Sequence, residues 1–285
     1  MKKPVKWEHL LPKEFRQRQA EKPLVYLPMG ICEPHGHIAP FGLDTLKAEY
    51  LCETAAERFG GIVAPTLGYQ IHEAGYHARW LEDVVGEVNP HMTAMPPELM
   101  LKFFLYQLRS FANAGFQNVF ALTGHAGGNQ DDFRLVATEF EEETGIKVIV
   151  KADPELVEGK HQGDHAGKYE ISQLLYLHPE LMDMCRINDI QNELGRFAQG
   201  EDANEATAAL GKQIMEDCLL GIKKLIDLLP SKSDKEKLKI ITYEQTEAIW
   251  EKILEQKRNW KTLKPAKYQK AVSKSSQWKP FENIK

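Results

Sequence analysis

Four residues with metal-ligating side chains fall within a dozen positions: Glu33, His35, His37 and Asp44. They lie in the stretch L-P-M-G-I-C-E-P-H-G-H-I-A-P-F-G-L-D-T, Leu27 to Thr45, among three glycines and three prolines. Carboxylate and imidazole together suit zinc, manganese or iron better than magnesium or calcium. A solvated charge cluster would not need so many backbone-shaping residues. Two further glycine-flanked polar clusters stand downstream. One is Gly124-His125-Ala126-Gly127-Gly128-Asn129, and the other is His161 to Glu170, H-Q-G-D-H-A-G-K-Y-E. Two divalent ions sharing a bridging carboxylate and activating a hydroxide for attack on a carbonyl carbon need a set of this composition.

Each of the three clusters follows a strand-like run. Pro23 to Met29 reads as a buried strand, and Thr45 is placed to cap a helix running to about Phe59 before Gly60 and Gly61. Ile62 to Leu67 reads as a second strand. Leu99 to Ala114 has helical apolar spacing, with Pro97 where the helix starts. Asn118 to Thr123 is a third strand, Gln130 to Glu143 a helix capped by Asn129, and Ile146 to Lys151 a fourth strand. Helical spacing returns from about Tyr169 to His178 and again from Ala203 to Leu229. This alternation predicts an α/β fold with a mostly parallel sheet and helices on both faces. In such a sheet the segments after the strands share the carboxyl edge, so distant clusters converge there. The long stretch from Gly68 to Pro97 reads as irregular and carries Tyr69, His72, Glu73, Tyr76, His77, Trp80 and His91. A loop of that length is usually a lid or binding loop, so it is read as the substrate-shaping segment.

The motifs resemble those of the creatininase family of amidohydrolases. E-P-H-G-H-x-x-P-x-x-x-D is similar to the family's E-x-H-G-x-H-x-P-x-x-x-D. Ile38 stands where the family has its second histidine, and His37 sits one residue earlier. G-H-A-G-G-N at 124–129 resembles N-G-H-G-G-N, with Thr123 for the first asparagine and one extra residue between His125 and Asn129. His165-Ala166-Gly167-Lys168-Tyr169-Glu170-Ile171-Ser172 resembles H-A-G-x-x-E-T-S, with Ile171 for threonine, and Ala206 to Gly211 fits a later A-T-x-x-x-G. The resemblance covers roughly residues 20–230 and implies a three-layer α/β/α fold. It implies two divalent ions per chain, zinc first with manganese or iron as alternatives. Glu33, Asp44 and His125 would hold one; His35, Asp44 and Glu170 would hold the other, with Asp44 bridging. His165 and Glu170 are the candidate catalytic residues, His165 as general acid or base. His165 has a rival role as a donor to a ligand carboxylate. The candidate substrate contacts are His37, Tyr69, His72, His77 and Trp80. For His37, a role behind the ligands, a substrate contact and a plain loop position all stay open. The loop imidazoles His72, His77 and His91 have a structural reading beside the functional one, and His161 and Asp164 read as solvated.

Composition narrows the class. The chain has 285 residues, 42% of them hydrophobic and 27% charged, with a formal net charge of −5. That is ordinary for a globular protein and argues against nucleic acid as the main partner. Cys32, Cys52, Cys185 and Cys218 form no C-x-x-C pair, which fits a reducing compartment. With a charged N-terminus and no long apolar run, no secretory leader or membrane span is expected, and the location expected is cytoplasmic. Residues 1–230 are expected to form the hydrolase domain. Residues 231–285, rich in lysine, are expected to pack on it or on a neighbouring subunit of a homo-oligomer, hexameric if the resemblance extends that far. The function expected is hydrolysis of a small cyclic amide or amide-like C–N bond. The alternatives are cleavage of a C–C bond in a cyclic diketone derived from inositol or sugar, and a metal-binding scaffold without turnover.

Overall fold

A computed structural model describes residues 4–72, 77–86, 91–230, 240–267 and 269–278. In chain order the main elements are α1 (Pro12–Glu21), β1 (Leu24–Met29), α2 (Leu43–Phe59), β2 (Ile62–Val63), β3 (Gln70–Ile71), α3 (Ala78–Val85), β4 (Ala94–Met95), α4 (Pro97–Asn113), β5 (Asn118–Thr123), α5 (Asn129–Thr144), β6 (Lys147–Ala152), α6 (Lys168–Leu177), α7 (Ala208–Ile226) and α8 (Tyr243–Glu255). Four strands form one parallel sheet in the order β2-β1-β5-β6. Two short strands, β3 and β4, pair in parallel apart from it.

Strand alternation sorts the core into two layers. From β1, Val25, Leu27 and Met29 join Val119 and Ala121 of β5 against Leu101, Phe104 and Phe133 of α4 and α5. The residues between them, Leu24 and Tyr26 with Phe120 and Leu122, meet Leu51 and Ala55 of α2 and Ile214 and Leu219 of α7. Every residue of β1 and β5 is buried, as a central parallel strand covered on both faces requires. The architecture is the expected three-layer α/β/α sandwich.

Strand order fixes where the site lies. The chain leaves β1 through α2 to β2 on one side, while β5 lies on the other side of β1. That reversal opens a crevice between the carboxyl ends of β1 and β5, the usual ligand position in open α/β sheets. Met29 and Thr123 end these strands in register with each other.

Several boundaries differ from the sequence reading. β2 stops at Val63, and Leu67 rejoins the sheet only as an isolated bridge to Met29. Helix α2 begins at Leu43 with Gly42 at its cap, so Asp44 lies in the first turn and Thr45 is not the cap. Asn129 likewise opens α5 as its first residue instead of capping it. Its side chain accepts from Gly127 N–H and donates to the His125 carbonyl. The long helix starts at Ala208 with Thr207 as cap, after a separate short turn at Ala203–Glu205. The segment 68–97 contains α3 and the β3–β4 pair, so it is not irregular throughout; Glu73 and Tyr76 lie outside the described residues.

The chain beyond 230 adds to the domain itself. Ile249, Trp250 and Ile253 of α8 and the following Trp260 are buried in the α4–α5 layer. Further on, Trp278 is buried against Ala78 and Leu81 of α3 and donates its indole N–H to the Gly86 carbonyl at 2.6 Å. Among the described residues, no helix is long and apolar enough to cross a membrane.

Candidate metal centre

The loop after β1 carries Glu33 and His35 into the crevice, and the first turn of α2 adds Asp44. The segment after β5 adds His125, and the first turn of α6 adds Glu170. Exposure falls between 1% and 6% for all five. Close approach of three backbone segments is needed to gather them. A Cβ on Gly124 would stand 2.1 Å from the Asp44 carbonyl oxygen, so glycine there lets α2 close onto the end of β5.

The gathered ligand atoms fall into two triads that share one carboxylate: Glu33, Asp44 and His125, and His35, Asp44 and Glu170. Within each triad the atoms lie within 4.8 Å of one another. The two oxygens of Asp44 face different triads, Oδ2 lying 3.6 Å from His125 Nδ1 and Oδ1 3.7 Å from His35 Nε2. Both of these oxygens, both ring nitrogens of His35 and Nε2 of His125 are buried without a hydrogen-bond partner. Burying so many unsatisfied polar atoms is costly, and metal coordination at this spot would satisfy them. The donor set, nitrogen and carboxylate oxygen, fits divalent zinc, manganese or iron.

The electrostatics are those of a concentrated anionic core wrapped in imidazole. Burial alone would raise the Glu33 carboxyl, but His125, His72 and His165 hold it well below the usual range. Burial would likewise depress His125, yet Glu33 and Asp44 push it up to about 10. Asp44, also raised by burial alone, is held low by the Lys47 ammonium together with His125 and His35. His72 and His77 go the other way: burial lowers both, and for His77 the neighbouring His72 and His125 lower it further.

Around the triads the remaining residues divide by what they touch. His72 bonds Glu33 Oε2 at 2.7 Å, and His125 Nδ1 bonds Glu33 Oε1 at 2.8 Å, so Glu33 is oriented from two sides. The His165 ring stacks on His35 at 4.8 Å. Its Nε2 lies 2.9 Å from the Pro34 carbonyl, which can only accept, so the proton sits on Nε2. Its Nδ1 faces Glu33 Oε1 4.0 Å away. Trp80 meets His165 edge-on at 4.9 Å, and His77 lies 5.1 Å from His72 and 6.1 Å from His125, ring centre to ring centre. Gly127 makes room for His77, whose Cε1 would stand 1.8 Å from a Cβ there.

Two of the expected substrate contacts are not in this group. Tyr69 is 57% exposed. His37 stacks on Phe197 at 5.0 Å and approaches Glu193 at 3.4 Å. Phe197 belongs to a left-handed turn, with φ of 55°, 61°, 49° and 60° at Gly195, Arg196, Phe197 and Ala198. Such a turn is costly for non-glycine residues and persists only where its surroundings hold it. Here the Phe197 carbonyl accepts from Gly36 N–H at 2.9 Å, in the ligand loop itself. Ile38 is buried in a separate apolar cluster with Leu43 and Ile171.

Asp164 is not solvated. Its carboxylate accepts from the backbone N–H groups of Gly167, Tyr169 and Glu170, fixing the start of α6 and with it Glu170. His161 is half-buried and bonds Asp217 at 2.9 Å.

Sequence reasoning passed over two charged residues. Lys47 and Asp153 are buried beside Glu170, with Lys47 Nζ 2.5 Å from Glu170 Oε1 and 3.3 Å from Asp153 Oδ1. Both carried a signal. Lys47 is three residues from Asp44 on one helix, hence on the same face, and Asp153 directly follows β6 at the carboxyl edge.

Comparison with known proteins follows the same lines. A model of the creatinine amidohydrolase family matches residues 8–226. Creatinine amidohydrolase of Pseudomonas putida is 27% identical over 208 residues, 66% of this chain and 78% of that protein. A 3-dehydro-scyllo-inosose hydrolase of Thermotoga maritima is 25% identical over 191 residues, 62% of this chain and 58% of that longer protein. A crystal structure of creatininase superposes with a TM-score of 0.67 at 24% identity, covering 80% of this chain and all of that one. A manganese form of creatininase gives 0.66 with the same identity and coverage. With the family model matched over residues 8–226, most of its length, the chain belongs to the creatininase family of hydrolases.

Proposed function

We propose that this protein is a two-ion hydrolase that cleaves a small cyclic amide or amide-like C–N bond. The observation that carries the reading is Asp44: a buried carboxylate whose two oxygens, neither of them hydrogen-bonded, face separate triads, His125 with Glu33 on one side and His35 with Glu170 on the other. A pair of divalent ions held there supplies Lewis acidity toward a carbonyl oxygen and lowers the pKa of a water molecule. The chain's own residues do the rest. Glu33, braced by His72, and Glu170, braced by Ala166 N–H at 2.8 Å, keep the ligand set in place. Through Nδ1, His165 accepts the proton of the attacking water and returns it to the departing nitrogen. His77 and the Trp80 ring, packed on each other and beside His72 and His165, form the wall that meets the substrate.

A second reading has a specific observation in its favour: the relative named for hydrolysis of 3-dehydro-scyllo-inosose is nearly as similar to this chain as the creatinine hydrolase. Cleaving a C–C bond in a cyclic diketone uses the same ligand set, with His165 protonating carbon in place of nitrogen. One experiment separates the two. Purified protein loaded with zinc or manganese is offered creatinine, a formamidopyrimidine and a diketo-inositol in parallel, beside the Glu33→Gln variant. Turnover of a ring amide, lost in the variant, supports the first reading. Turnover of the diketone alone replaces it with the second, and two bound ions with no turnover of any of the three counts against both.

A further inference from the structure

A lysine buried beside a cation site is an anomaly that the proposed chemistry does not use. The Lys47 side chain is 1% exposed. Its ammonium hydrogen-bonds Glu170 Oε1 at 2.5 Å and lies within ion-pair distance of two further carboxylates, Asp153 Oδ1 at 3.3 Å and Asp44 Oδ1 at 3.5 Å. Two of these, Glu170 and Asp44, belong to the triad with His35; Asp153 belongs to neither triad. Asp153 is held in turn by the hydroxyl of Tyr169 and the amide of Gln173, each at 3.0 Å. Glu170 is thus gripped at both ends, Oε1 by Lys47 and Oε2 by Ala166 N–H, and Oε2 stays 3.7 Å from His35 Nε2. The other triad is built differently: the groups that face Glu33 there are imidazoles, His72 and His125 in hydrogen bonds and His165 at 4.0 Å.

We propose that Lys47 is a positioning residue that serves as a resident cation for the His35–Asp44–Glu170 subsite, holding its carboxylates in the metal-free protein and opposing the ion that enters, so that the two subsites fill unequally. The inference rests on the two-ion reading above. Buried carboxylates without a counter-charge are strongly destabilising, so a fixed ammonium keeps the metal-free subsite folded and in register. The same ammonium repels a divalent ion a few ångströms away. Linkage joins the two effects: whatever Lys47 contributes to the metal-free form beyond its contribution to the loaded form is subtracted from ion affinity. A plain structural salt bridge would instead support both forms equally and leave affinity unchanged.

The test is a cobalt titration of the full-length metal-free protein, followed by calorimetry and visible absorption, on wild type and Lys47→Met. Thermal midpoints are measured without metal and with saturating cobalt. Wild type is expected to take two ions with affinities at least about tenfold apart. In Lys47→Met the weaker site is expected to tighten about tenfold or more, while the midpoint falls further in the metal-free form than in the loaded one. Lys47→Met/Asp153→Asn removes the outer carboxylate's charge as well, so it carries the same test if the single variant does not fold without metal. An unchanged or weakened second site, or equal midpoint losses in both forms, overturns the role of Lys47 while leaving the two-ion reading intact. Failure of wild type to take up cobalt at all overturns that reading instead.

Discussion

The floor of the site and its wall are built by different means. The floor, Glu33, His35, Asp44, His125 and Glu170, comes from the loops that follow β1 and β5 and from the first turns of α2 and α6, buried in the body of the sandwich. The wall, His77, Trp80 and the partly exposed His165, comes from α3 and from the loop before α6. Helix α3 is itself held by the C-terminal segment, through Trp278 on Ala78 and Leu81 and through Ser273 N–H on Glu82 at 2.8 Å. That segment lies beyond residue 226, where the family match ends. On the function proposed above, the floor carries the chemistry and the wall the choice of substrate. Buried loops pinned between strand ends and helix starts hold side chains to a close tolerance, whereas a helix braced from outside can vary in sequence without disturbing them.

The two regions should therefore fail in different ways. Glu33→Gln or His125→Ala should lose bound ion together with turnover. Ions in this role stabilise the transition state by several kcal/mol, so the loss should be on the order of a thousandfold or more. Metal analysis beside the rate measurement checks it. His165→Ala should keep both ions and lose turnover by about a hundredfold or more, the range of general acid–base catalysis, with partial rescue by added imidazole. Loss of metal in that variant would make His165 part of the floor.

Proton competition gives the next effect. His125, pushed up to about 10 by Glu33 and Asp44, holds a proton in the metal-free protein at neutral pH, and an ion must displace it. Affinity at the Glu33–Asp44–His125 triad should thus rise about tenfold per pH unit from neutrality until pH nears 10. The sign for metal-free stability is opposite. A raised imidazole pKa stabilises fully below about 6.5, and the gain is lost as pH climbs through 10. Competitive chelation and thermal melts across that range measure the two trends. The smallest effect belongs to the brace: Trp278→Ala should raise KM by about tenfold or less through a loosened α3. Both ions and kcat should be nearly unchanged, as steady-state kinetics and metal content would report.

Much of the floor was readable before any coordinates. Glu33, His35 and Asp44 sit in one short stretch, and the parallel-sheet rule brings His125 and Glu170 to the same edge. Lys47 was hidden because a lysine within a helix reads as solvated, and only the i, i+3 relation to Asp44 betrays the buried face. Asp153 was hidden because an Asp-Pro pair after a strand reads as an ordinary solvated turn. The placing of His37 was unreadable for a deeper reason. It depends on a left-handed turn at Gly195–Ala198, and Arg196 and Phe197 carry no local signal for that conformation. The α3 helix was missed because it is short and its packing partner, Trp278, lies almost 200 positions away. Ala78, Leu81 and Val85 do keep a helical spacing, but over only eight residues.

Anomalous diffraction from zinc-loaded crystals bears most directly on the central claim. Two peaks are predicted per chain, one among Glu33, Asp44 and His125 and one among His35, Asp44 and Glu170, with Asp44 touching both. A single ion, or zinc held by His72, His77 and His125 with Asp44 left bare, would contradict it.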